Sequence, residues 1–182
     1  MKEINTKEIF KAKTVALVGI MAATLTCGKL ALSFLPNIEV VTLLCALYGY
    51  VFGVYGVIAA IIFVCIEPLI YGFGSWFITY IIYWPMVALV FALLSRKGEG
   101  RRLILTLVAF GMTVGFAVIS SVVDSAFYLG INENYFINLP IYFLRGIPFY
   151  LAQLASNAVL FPTLFLFLVG KLRQIKIQKF TL

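Results

Sequence analysis

Of the 14 basic residues in this chain, all but Lys29 and Arg145 lie in three short patches, Lys2 to Lys13, Arg96 to Arg102 and Lys171 to Lys179. Long apolar stretches separate the patches. That alternation constrains the fold more than any other feature. Hydrophobic residues make up 63% of the chain and charged residues 12%, about half the charged share of a soluble domain. A chain of 182 residues cannot hide so much apolar surface from water, so lipid is the expected solvent. The whole chain, 1–182, reads as one membrane domain.

The positive charge flanks apolar runs, which the positive-inside rule explains and nucleic-acid binding does not. The chain has no histidine, which removes the commonest metal ligand and general base. Cys27, Cys45 and Cys65 are far apart within apolar runs and read as packing residues. No metal or cofactor is expected. Thr14–Leu35 follows basic residues as a signal peptide would, but it is too long and lacks a small-residue cleavage site, so it reads as a retained helix.

A spanning helix needs roughly 20 apolar residues. Thr14–Leu35, Ser75–Ser95, Leu103–Leu129 and Ile141–Gly170 qualify directly. Ile38 to Ile70 is either one very long helix or two short ones. Parity decides. Placing both the N-terminus and the Arg96–Arg102 loop in the cytoplasm requires an even number of crossings between them. Two helices satisfy this, turning in the glycine-rich segment Gly49 to Gly56. The expected fold is all-α, with six transmembrane helices and both termini cytoplasmic. Helix two, about 14 residues between Glu39 and Gly53, is short enough to be tilted or partly re-entrant.

Four charges fall within apolar territory: Lys29, Glu67, Asp124 and Arg145. This topology places all four in the outer half, where each costs up to about 2.5–3.5 kcal/mol at the bilayer centre. Mutual pairing or a shared water-accessible cavity would offset that. Ser121, Asp124, Ser125 and Tyr128 form one helical stripe. Arg145, Gln153, Ser156 and Asn157 share one side of helix six, with Asn157 roughly 18 Å along the axis from Arg145. Trp76, Tyr80, Tyr83 and Trp84 share a face of helix four, and Trp84 lies about 12 Å deeper than Trp76, past the interfacial belt. Asn37, Glu39 and Tyr71 lie in the outward-facing connections. Aromatic faces with convergent polar groups suit a bulky or flat organic ligand; helix packing is the plainer reading. Ala12, Ala16, Gly19 and Ala23 form a small-residue seam on helix one, for close approach of a helix of this chain or of another subunit.

Three segments together resemble the S components of energy-coupling factor (ECF) transporters, the vitamin-binding subunits of certain prokaryotic ABC importers. They are Phe34–Leu44, Leu69–Trp76 with Tyr80 and Trp84, and Gly146–Phe149 with Asn157. The overall match of six helices with both ends inside covers nearly the whole chain. The resemblance implies a protein of the prokaryotic plasma membrane that captures a vitamin from outside. It would then dock through the helix-one seam on a transmembrane coupling subunit driven by two cytoplasmic ATPases. This chain carries no Walker motif, so the ATPases belong to partners. The resembling branch is associated with cobalamin, and riboflavin or a pyridoxine-like compound also suits the aromatic face. The residues expected to meet the vitamin are Asn37, Glu39, Glu67, Tyr71, Trp76, Tyr80, Trp84, Asp124, Tyr128, Arg145, Gln153 and Asn157.

Two other classes compete. An intramembrane protease would need His-Glu motifs or a serine with a base in a recognisable setting. A channel, or a membrane-assembly factor, is the other reading, and a channel needs polar faces through the full membrane thickness. Here the cytoplasmic halves of the helices are apolar or small.

Overall fold

The computed structural model describes residues 6–34, 40–96 and 102–180, with side chains over 11–34, 40–96 and 102–176. Asn37 and Glu39 therefore lie outside the described residues. The chain is an all-α membrane protein. Its helices are α1 (Thr6–Ala31), α2 (Val41–Phe52), α3 (Val54–Tyr71), α4 (Ser75–Arg96), α5 (Arg102–Leu129), α6 (Tyr135–Leu160) and α7 (Leu166–Phe180). A π-helical turn, Phe161–Phe165, joins the last two, so that Tyr135–Lys176 runs as one rod. Pro162 lies in this turn. Proline has no N–H to donate and its ring clashes with the carbonyl four residues back, and a widened turn relieves both problems.

Among the described residues, five apolar helices are long enough to cross a bilayer, and α2 is the short sixth. Its 12 residues span roughly 18 Å at 1.5 Å each, well under the ~30 Å hydrocarbon core. Every residue of α2 except Leu44 is buried, so it is a central post with little contact with lipid. It packs against α1, α3, α4 and α7. The expected division of 38–70 into two helices is present, with its turn at Gly53, where φ is +61°. Only glycine adopts that backbone without strain.

Gly49 and Gly56, expected as part of the same turn, do something else. Gly49 lies inside α2, and a methyl group there would sit 2.0 Å from the Ala88 carbonyl oxygen of α4. Gly56 lies inside α3, where a methyl would sit 2.3 Å from the Tyr48 backbone. Both permit close backbone approach. The start of the sixth rod also differs from expectation. Helix begins at Tyr135, so Pro140 sits inside α6 and the α5–α6 connection is short. Cys45 is a core residue as expected, whereas Cys27 and Cys65 are exposed on the bundle surface.

The described basic residues of the second and third patches lie at one end. Arg96 closes α4 and Arg102 opens α5. Lys176 donates to the Val51 carbonyl at 2.8 Å, and Arg173 lies 5.5 Å from the Tyr50 ring. The α7 cations thus hold the carboxyl end of α2, where unsatisfied carbonyls and the helix dipole favour positive charge. Beneath them Tyr50, Phe91, Phe161 and Phe165 form a buried aromatic layer with ring centroids 5.3–5.7 Å apart. This end is solid.

Candidate ligand cavity at the far end

At the opposite end, the first turns of α4, the last turns of α5 and the first half of α6 enclose a cavity of about 340 Å³. α6 packs mainly along α5, and between Tyr135 and Gln153 none of its side chains is buried. The cavity occupies the space this leaves beside α4. Its aromatic walls are Trp76, Tyr80, Phe116, Tyr142, Phe149 and Tyr150, and its polar groups include Ser75, Thr79, Ser120, Asp124 and Arg145.

Local sequence explains the shape. Phe116, Ser120 and Asp124 recur every four residues on α5 and so present one face. On α6, Gly146 leaves the room that the Tyr150 ring takes: a methyl at Gly146 would sit 2.3 Å from the Tyr150 hydroxyl oxygen. That hydroxyl shares a hydrogen bond with Ser121 at 3.2 Å, tying the wall to α5.

The four isolated charges separate into a closed set and an open one. Lys29 forms an ion pair with Glu67, which is fully buried. The Lys29 ammonium also lies 4.6, 4.8 and 5.7 Å from the rings of Tyr80, Tyr71 and Trp76. Ion pairing and ring quadrupoles together stabilise a cation within the membrane. Asp124 and Arg145 instead line the cavity. They form no ion pair with each other; Asp124 accepts a 3.4 Å hydrogen bond from Ser120, and the Arg145 guanidinium lies 5.8 Å from the Tyr142 ring.

The other sequence candidates sit apart from the cavity wall. Trp84 is buried beneath it, stacked on Phe116 at 6.1 Å, with an indole N–H that has no partner. Asn157 is fully buried and donates to the Thr113 hydroxyl at 2.9 Å, joining α6 to α5. Gln153 is buried on the same side of α6. Tyr128 projects from the end of α5, 63% exposed, against the ring of Phe127. Tyr71 and Glu67 belong to the Lys29 cluster, which shares Trp76 and Tyr80 with the cavity.

Sequence reasoning missed Phe116, Thr79, Ser120, Tyr142 and Tyr150. The four-residue spacing of Phe116 and Ser120 from Asp124 was the available signal for two of them.

Ala12, Ala16, Gly19 and Ala23 are all exposed, and a methyl at Gly19 would meet nothing within 4 Å. Among the described residues, no helix covers the seam. Gly111 and Gly115 on α5 are similarly open. Comparison with protein-family models, curated proteins and solved structures finds no match for this chain.

Proposed function

We propose that this protein is the substrate-capture subunit of a vitamin importer of the energy-coupling factor type, whose S components it resembles in sequence. The observation that carries the reading is the aromatic cavity with Asp124 and Arg145 at the end opposite the basic patches. By the positive-inside rule that end faces outward, so the cavity would collect its ligand from outside the cell membrane. The uncovered seam Ala12, Ala16, Gly19 and Ala23 suits docking on a transmembrane coupling subunit, because small residues let helices approach closely in lipid. Two cytoplasmic ATPases would supply the energy.

The aromatic layer of Tyr50, Phe91, Phe161 and Phe165 at the basic end speaks against a channel, which needs a polar lining throughout. The cavity volume bears on the ligand. About 340 Å³ lies near the lower limit of small-molecule sites, roughly 300–1,000 Å³. A corrinoid with its amide fringe is far larger. A compact ring vitamin, riboflavin-like or pyridoxine-like, therefore fits this cavity better than cobalamin.

Native mass spectrometry of protein purified from cells grown in rich medium tests the capture role. The wild type should carry a small-molecule adduct that Trp76→Ala with Tyr80→Ala removes while the protein stays folded. An adduct that persists in the double variant would overturn the cavity assignment, and a wild type with no adduct would overturn capture itself.

A further inference from the structure

The 340 Å³ cavity is lined by one negative and one positive side chain, Asp124 and Arg145, that form no ion pair. In lipid, opposite charges that can close on one another do so, because each is costly alone. Here each has another neighbour on its own helix. Asp124 is fixed on α5 with Ser120 as its hydrogen-bond donor, and Arg145 is on α6 against Tyr142. The Thr79 hydroxyl, on α4, lines the same space at 1% exposure and has no hydrogen-bond partner. Buried polar atoms are almost always satisfied, so something other than the protein completes this one. The remaining two stranded charges, Lys29 and Glu67, pair with each other and are not among the cavity's lining residues.

We infer that the cavity selects a compact aromatic molecule without net charge that carries both an acceptor or anionic group and a donor or cationic group. The acceptor meets Arg145, whose guanidinium only donates, and the donor meets Asp124, whose carboxylate only accepts. The ring lies among Trp76, Tyr80, Phe116, Tyr142 and Phe149. Zwitterionic pyridine derivatives and ring systems with an imide edge belong to this class. Simple aromatic acids and simple aromatic amines do not, because each satisfies one side chain and leaves the other charge unpaired next to it. This inference rests on the capture reading above.

The test is retention from a mixture. Full-length protein in detergent is incubated with the water-soluble small-molecule fraction of yeast extract, washed, and the retained compounds are identified by mass spectrometry. The expected result is a retained aromatic compound of the dual donor–acceptor class. Its retention should fall at least tenfold in both Asp124→Asn and Arg145→Gln, and be partly restored in Arg145→Lys. Circular dichroism and gel filtration establish that these variants are folded, and any that is not is replaced by Thr79→Val, which should also weaken retention. Retention of a purely anionic or purely cationic compound, or of a corrinoid, would overturn the dual-charge inference while leaving capture standing. Retention unchanged in either charge variant would overturn it as well. No retained compound at all would overturn the capture reading itself.

Discussion

At the basic end, Gly49 brings α2 so near α4 that a methyl would lie 2.0 Å from the Ala88 carbonyl oxygen. At the far end, α4 and α6 stand apart around a cavity of about 340 Å³. α4 is thus welded to α2 at one end and parted from α6 at the other. At the basic end, glycine and phenylalanine fill the bundle, and Lys176 and Arg173 hold the carboxyl end of α2. At the far end, charged and aromatic side chains line an opening, and one ion pair, Lys29 with Glu67, ties α1 to α3 beside it. The contrast teaches where each function can sit. Tight packing leaves no room at one end, and an open, incompletely satisfied wall at the other is what the proposed capture of a ligand would need.

Breaking the tie at the far end should have the largest effect on stability. Lys29→Ala leaves the fully buried Glu67 carboxylate without its cation, a loss of about 3–5 kcal/mol. Thermal unfolding in detergent measures it. Replacing both partners by methionine should recover most of that loss, because no buried charge is then left alone. If the single variant is as stable as the wild type, the pair is not holding α1 to α3.

Gly49→Ala comes next. Overpacking against a backbone carbonyl should cost about 1–3 kcal/mol, whereas Gly111→Ala, inside α5 with nothing within 4 Å, should leave the unfolding temperature unchanged or slightly raise it through helix propensity. Equal effects at the two glycines would erase the contrast between welded and open surfaces. Asn157→Leu removes the α5–α6 hydrogen bond to Thr113 and should cost about 0.6–2 kcal/mol. It should leave small-molecule retention largely intact, because Asn157 sits apart from the cavity wall.

The smallest stability effect belongs to the seam. Ala16→Leu with Gly19→Leu should change unfolding hardly at all, since both positions are exposed. Retention by the purified protein should also be spared, while uptake of the retained compound by cells stops. Continued uptake in this variant would remove the seam from the docking role.

Most of the fold was legible in the sequence because lipid imposes simple rules. Apolar length marks spans, and patches of Lys and Arg mark one side. Parity alone divided residues 38–70 into two helices, and Gly53 carries the turn. The start of α6 was not legible, because Pro140 reads as a boundary, although prolines inside helices are tolerated in membrane proteins where neighbouring groups satisfy the freed carbonyl. The role of Gly49 was hidden for a different reason: a glycine in a helix-to-helix contact and a glycine in a turn look alike without the partner backbone. Of the site, Trp76, Tyr80, Asp124 and Arg145 share the cavity as their helical spacing suggested. Asn157 and Trp84 were drawn to it by depth and polarity, but a deep amide in lipid is met just as well by a hydroxyl such as that of Thr113. Tyr150 escaped attention because a single aromatic in an aromatic-rich chain carries no spacing signal of its own, whereas Phe116 lies at i−8 from Asp124 on the same helical face.

Capture from outside requires that the cavity be open to water on the side of the membrane away from the basic patches. Its most direct test is labelling of Ser120→Cys, in a background with Cys27, Cys45 and Cys65 replaced by alanine, by a membrane-impermeant maleimide applied to intact cells. Ala92→Cys, in the tightly packed half of α4, serves as the reference. The account predicts that position 120 labels from outside and position 92 does not, and that the small-molecule fraction of yeast extract slows the labelling at 120. Failure of position 120 to label in intact cells, with labelling only after the membrane is opened, would contradict it.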